Sequence, residues 1–251
     1  MVLVSSELKW KPLMLNQNVL SAFMNTFMGY GDFNADTWFI GMEEGGGNSI
    51  EEVQIRIGTW AERGGRILED CAEYHHAIGA GHLFTPPLRK AQKTWDWLMR
   101  AQLFSEGKAH DVVASKVMQG ERWLRCGSKT CGIELMPLPS PNTNVWHYNE
   151  FSNDPILRNR ASYYAAIRPK RIAAIKDTID KYKPRNVVFY GKTYQTHWQQ
   201  IVGTDFIEAD GLHIAQSGST SFICTMHPTG PTKVKKIPYW EKIGAWLASA
   251  E

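Results

Sequence analysis

Five consecutive residues, Asn186 to Tyr190 (NVVFY), constrain the fold of this chain more than any other stretch. The run is apolar after its first residue, too short for a helix, and ended by Gly191, so it reads as a strand buried on both faces. Such strands belong to sheets that are largely parallel and covered by helices. Before it, Ile172, Ile175, Ile179 and Tyr182 recur at helical spacing, which predicts an amphipathic helix over 170–183 with its lysines turned away from the apolar stripe. After Gly191 the chain turns into a helix at about 193–202. TWFIG at 37–41 and CGIELMPL at 131–138 repeat the buried-strand pattern, the second stopped by Pro137, Pro139 and Pro141. Weaker strand signals fall at 211–216 and 221–226, and helices are expected at 16–29, 50–63, 89–104, 107–119 and 238–249. Strands alternating with helices predict an α/β fold, three-layer α/β/α, around a mainly parallel, roughly four-stranded central sheet. The 251 residues suit one domain over 1–251, with a mostly helical region at about 50–130.

The remaining composition narrows the class. Apolar residues are 43% and charged residues 21%, as in ordinary globular proteins. No apolar run approaches the roughly 20 residues that span a bilayer. The start, MVLVSSELKWKPL, lacks a basic segment followed by an apolar one, so a cytoplasmic, intracellular protein without a membrane partner is expected. Cys126 and Cys131 have four residues between them, looser than a zinc knuckle, and His75, His76 and His82 match no standard ligand spacing. No metal and no cofactor are therefore expected, and the histidines read as surface residues. Charge is unevenly spread. From Arg158 to Lys192 there are ten basic residues opposed only by Asp177 and Asp180, and Lys233, Lys235 and Lys236 cluster near the C-terminus. That pattern suits a phosphate backbone, or simply a solvated helix face.

In open parallel sheets, ligands bind at the carboxyl ends of the strands. Three stretches leave expected strands there: GMEEGGGNS at 41–49, ELMPLPSPNTN at 134–144 and HPTGPTKVKK at 227–236. The first lacks the lysine of a phosphate-binding loop and does not match GxGxxG. Its glycines would admit a planar ligand close to the backbone, and Glu43 and Glu44 sit where a carboxylate can orient water. It also reads as a plain strand-to-helix connector with solvated acids. In the third stretch two prolines stiffen the loop after His227, and its lysines suit a DNA groove; a proline-rich connector explains the same residues. YGKT at 190–193 lacks the first glycine of a triphosphate loop, since Asn186 stands there.

Taken in order, the three stretches resemble the uracil-DNA glycosylase superfamily. GMEEGGG is similar to the motif after that superfamily's first strand, and HPTGP to its H-P-S-P motif near the C-terminus. The GM start and the P-L pair of ELMPL are nearest the single-strand-selective monofunctional branch. The resemblance implies cleavage of the N-glycosidic bond of a flipped uracil-type, deaminated or modified base, by a monomer that needs no cofactor, on double- or single-stranded DNA. It implies catalytic roles for Glu43, which would position water, and His227, which would donate to the departing base. It places Gly41, Met42, Gly45, Gly46, Gly47, Asn48 and Glu134 around the base, and Lys192, Lys233, Lys235 and Lys236 on phosphates. Glu44 stands where the motif has proline, and Glu134 where it has the asparagine that reads uracil. An ionised glutamate only accepts hydrogen bonds, whereas a protonated one could mimic asparagine. The alternatives are a non-catalytic nucleic-acid-binding relative of the same fold and an unrelated α/β hydrolase using Glu43, Glu44 and His227.

Overall fold

Every apolar run named above becomes a strand of one sheet. The computed structural model describes residues 16–249 apart from Arg89 and Thr232, so the reading of residues 1–13 lies outside the described residues. Along the chain come α1 (Gln17–Thr26), β1 (Gly29–Gly31), β2 (Thr37–Glu43), α2 (Ile50–Glu62), β3 (Leu68–Glu69), α3 (Cys71–Ala77), α4 (Lys93–Ser105) and α5 (Val112–Glu121). Then follow β4 (Thr130–Met136), α6 (Tyr148–Phe151), α7 (Arg160–Tyr182), β5 (Asn186–Tyr190), α8 (Gln195–Val202), β6 (Ile207–Ala209), β7 (Leu212–Ser217), β8 (Thr220–Thr225) and α9 (Lys236–Ser249).

The sheet is larger than expected and mixed. Its order is β3-β1-β4-β2-β5-β8-β7-β6. The four central strands β4, β2, β5 and β8 are mutually parallel. On one side β1 joins β4 antiparallel and β3 joins β1 parallel; on the other, β7 and β6 add antiparallel pairs. The expected four-stranded, mainly parallel sheet therefore describes only the centre. The missed strands β1, β3 and β6 are two or three residues long, too short for any period to show. β1 also depends on glycine. A Cβ on Gly29 would lie 2.1 Å from the Gly132 carbonyl oxygen, so only a bare backbone lets β1 reach β4.

Helices rest on both faces. Trp38 and Phe189 point one way, toward Tyr182 at the end of α7 and Trp198 of α8. Phe39 points the other way, onto Trp123. On that second face Asn186 Nδ2 donates to the Leu247 carbonyl of α9. α9 in turn presses on α4, where a Cβ on Gly244 would meet the Ala101 carbonyl at 2.7 Å. α7 starts ten residues earlier than expected and carries Pro169 inside it. Proline usually opens a helix or breaks it, which hid the first turns; here Asn159 caps the N-terminus by accepting from the Ser162 amide. Among the described residues, no helix is long and apolar enough to cross a membrane.

Candidate functional site

β4 and β2 end side by side, β8 ends beyond β5 on the same edge, and the loops leaving them enclose a cleft of about 610 Å³. Glu43, Glu44, Glu134 and His227 all line it, although the sequence spreads them over three loops. Met42, Gly45, Gly46 and Asn48 line it too, while Gly41 and Gly47 do not. Gly47 instead packs against the β4 loop: a Cβ there would lie 2.8 Å from the Pro139 carbonyl oxygen. Gly46 lies against Arg56, where a Cβ would come within 2.6 Å of a guanidinium nitrogen. The glycines thus allow protein–protein approach as well as access to a ligand.

The glycine loop is fastened from α2. Glu52 accepts from the Gly47 and Asn48 amides at 3.0 and 2.9 Å and from the Asn48 side chain at 2.7 Å. Burial alone would raise the Glu52 carboxyl, but these hydrogen bonds and that from Arg56 outweigh it and hold the group at about 2. Arg56 continues the chain of charge to Glu44, which also accepts from Tyr30 Oη at 2.5 Å. Burial pushes the Glu44 carboxyl up despite Arg56 and Tyr30. Glu44 is therefore tied on both sides rather than solvated.

Glu43 has a different partner. Arg160, at the start of α7, donates to its carboxylate, and the same guanidinium donates to Ser140 Oγ and the carbonyls of Asn142 and Val145. Burial raises the Glu43 carboxyl, with Arg160 pulling the other way. The carboxylate that the resemblance makes water-positioning is thus paired, and Arg160, counted in the basic stretch expected on phosphates, is engaged with the cleft loops.

Glu134 sits deeper. It shares a sheet face with Gly41, and Tyr190 on β5 crosses above that glycine to donate to Glu134 Oε1 at 2.6 Å. A Cβ on Gly41 would collide with Tyr190 Oη at 2.3 Å and with Glu134 Oε2 at 2.4 Å. Gly41 is therefore the space in which this pair meets. Burial, then the nearby Glu44 and Glu43, lifts the Glu134 carboxyl to about 8 against the Tyr190 hydrogen bond, so it is protonated at neutral pH. Its Oε2 is buried with no hydrogen-bond partner among the described residues. A neutral carboxyl offers both a donor and an acceptor, as an amide does. Behind it the buried Arg171 donates to the carbonyls of Glu134 and Leu135.

His227 stands at the rim, its ring 5.9 Å from that of Tyr190. The Thr229 amide donates to His227 Nδ1 at 3.3 Å. Nδ1 must then be the acceptor, which leaves the proton on Nε2. Burial and Lys236 both lower the ring's basicity, so it is a neutral donor. Lys236 does not face outward as expected: its Nζ donates to the Pro228 carbonyl at 2.8 Å and braces the loop. Lys233 and Lys235 are exposed, and Lys192 contacts His213 at 2.5 Å.

Several residues of the site gave no signal in the sequence. Tyr190 looked like the end of an apolar strand, and Tyr30 lay in an unrecognised one. Arg160 and Arg171 were counted with the basic stretch, yet both turn inward. His75 is buried rather than superficial, and it lines the cleft; His76 and His82 are exposed. Comparison with known proteins returns no matching family model and no matching curated protein.

Proposed function

We propose that the protein is a monofunctional DNA glycosylase that cleaves the N-glycosidic bond of a flipped uracil-type, deaminated or modified base, on a three-layer α/β/α scaffold. One observation carries the reading. Glu43, Glu134 and His227, the residues that the resemblance selects, line one cleft at the carboxyl ends of the central parallel strands. Bond cleavage leaves positive charge on the sugar and negative charge on the base. The Glu43 carboxylate suits the first, and can orient water, with Arg160 fixing its rotamer. The His227 Nε2 proton suits the second; one such donor is worth about 3 kcal/mol. The protonated Glu134 offers a base edge the donor and acceptor of the asparagine it replaces. DNA, double- or single-stranded, is the partner, and the exposed Lys233 and Lys235 suit its phosphates. No cofactor is required by this chemistry.

The ion pair between Glu43 and Arg160 favours a second reading, a non-catalytic nucleic-acid-binding relative, because the pairing neutralises the carboxylate. Single-turnover excision from oligonucleotides carrying different altered bases separates the two. The glycosylase reading expects one of them to be excised, and Glu43→Gln to slow excision at least about tenfold with DNA binding kept. Salt-dependent binding without excision of any base supports the second reading instead.

A further inference from the structure

The cleft does not end at Glu134. It continues over the sheet face formed by Phe39 and Gly132, between Trp123 and Leu124 on one side and Trp95 and Leu98 of α4 on the other. Gly132 contributes no side chain, and Leu124 closes into the space it leaves: a Cβ there would sit 2.7 Å from Leu124 Cδ1. At the far end is His75, boxed by the rings of Tyr30, Phe84 and Trp95 at 5.2–5.8 Å. Tyr30 links the two ends, because its hydroxyl bonds Glu44 beside Glu134 while its ring packs on His75.

Among the polar residues that line the cleft, the buried His75 and the half-buried Glu134 flank this aromatic stretch. His75 Nδ1 lies 2.6 Å from the Cys71 carbonyl oxygen, which can only accept, so Nδ1 carries the proton. Desolvation lowers the ring to about 4 and keeps it neutral. Nε2 is then the acceptor nitrogen; the hydrogen bonds of this ring within the described residues run through Nδ1. Glu134 Oε2 is without a partner among the described residues. An apolar, aromatic chamber with one acceptor nitrogen at its end and one unmet carboxyl at its mouth is a built binding site. The whole cleft, of which this chamber is one part, measures about 610 Å³, within the range of roughly 300–1,000 Å³ that holds drug-sized ligands.

We propose that the cleft takes a bicyclic base, with an acceptor on its near edge toward Glu134 Oε2 and an N–H donor on its far edge toward His75 Nε2. The chamber is read from the cavity itself; that the base arrives on a DNA strand rests on the glycosylase reading above. An apolar pocket discriminates ring size weakly, but a single ring held at Glu134 leaves the His75 acceptor unpaired, and a site built to hydrogen-bond its ligand rejects one that leaves a polar group unpaired by far more.

Titration of the full chain with free adenine and with free uracil, followed by tryptophan fluorescence from Trp95 and Trp123, tests the chamber without any catalysis. Adenine is bicyclic and carries an exocyclic amine; uracil is a single ring. Adenine is expected to bind at least about tenfold tighter, and His75→Phe to bring the two within about twofold. Leu83→Trp, at a half-buried position of the wall, narrows the chamber without touching a polar group and is expected to abolish the preference as well. Equal or tighter binding of uracil, or failure of both bases to bind, overturns the proposal on the wild-type protein alone. So does a preference that survives both substitutions in folded variants. An excision panel of uracil, hypoxanthine and alkylated adenine in DNA separates this failure from that of the reaction. Excision of uracil alone overturns the bicyclic preference and leaves the glycosylase standing. Tight adenine binding with no excision of any base does the reverse.

Discussion

Gly41 and Glu134 decide the centre of the site at the scale of single residues. Nothing but hydrogen fits on Gly41 while Tyr190 and Glu134 meet above it. Gly41→Ala is therefore expected to cost about 1–3 kcal/mol, in the range of overpacking, and to part the pair. Chemical denaturation measures the loss; a variant as stable as the parent would mean that the pair has room to shift. Glu134 carries a pH signature. Its carboxyl rises from 4.5 unfolded to about 8 folded. Between those values the folded chain keeps a proton that the unfolded chain has released, so stability falls as pH rises from about 4.5 to about 8 and is level beyond. Glu134→Gln stays neutral throughout and keeps a donor. Its denaturation midpoint is expected to fall less steeply over that window than the parent's. An equal slope would assign the retained proton to another group.

At the scale of elements, α2 holds the glycine loop and α7 holds the strand ends. Ser49 caps α2 by accepting from the Glu52 amide at 3.2 Å, and Glu52 turns its side chain back to the loop amides. A strand-tip loop with three glycines has much conformational freedom to lose, so these hydrogen bonds fix what the backbone alone would not. Glu52→Gln is expected to speed hydrogen exchange at Gly47 and Asn48 while leaving central β5 amides protected. The Glu52 carboxyl is held at about 2, below its unfolded value. Its contribution is present above about pH 4.5 and is lost as pH falls toward 2, so the substitution should also flatten that part of the acid transition. Unchanged exchange at both amides would show the loop to be fixed by its packing on Pro139 instead. α7 works through side chains that sequence charge alone misplaces. Arg160 reaches Glu43 and Arg171 reaches the carbonyls of β4, so the helix's inward face is partly basic.

For the whole molecule, net charge of +3 says less than where the lysines stand. Lys233 and Lys235 are exposed in the segment that follows the His227 loop, whereas Lys236 is engaged with Pro228. Replacing Lys233 and Lys235 with alanine should weaken DNA binding at all sequences and flatten the plot of log affinity against log salt by roughly one unit per lost phosphate contact. Lys236→Ala should act differently, through the loop that carries His227, and so depress excision more than affinity. If the double substitution leaves the salt slope unchanged, the phosphates lie elsewhere. Charge within the cleft is the opposite of the surface: four acidic side chains line it, and burial raises Glu43, Glu44 and Glu134, with neighbouring carboxylates adding to the rise at Glu44 and Glu134. That concentration of carboxyl groups is stable only because Arg56, Arg160 and Tyr190 meet them.

The sequence by itself determined the sheet's centre and the loops that leave it. Apolar runs bounded by glycine and proline can only be buried strands, and the helical stripe of 170–183 can only lie on them, because the hydrophobic effect acts on local pattern. NVVFY became β5 at the expected residues, and Glu43, Glu134 and His227 fell in one cleft because parallel topology brings the ends of the central strands to one edge. Only the tertiary structure decided the rest. Short strands such as Gly29–Gly31 are strands because a neighbour accepts their hydrogen bonds, and no period reveals that. Whether Arg160 meets a phosphate or Glu43, whether His75 is a surface residue or the end of a chamber, and whether Glu134 is charged all depend on desolvation and on partners far away in the chain. Hydrophobic periodicity is written locally; the pairing and protonation of buried polar groups are settled only when the chain has closed around them.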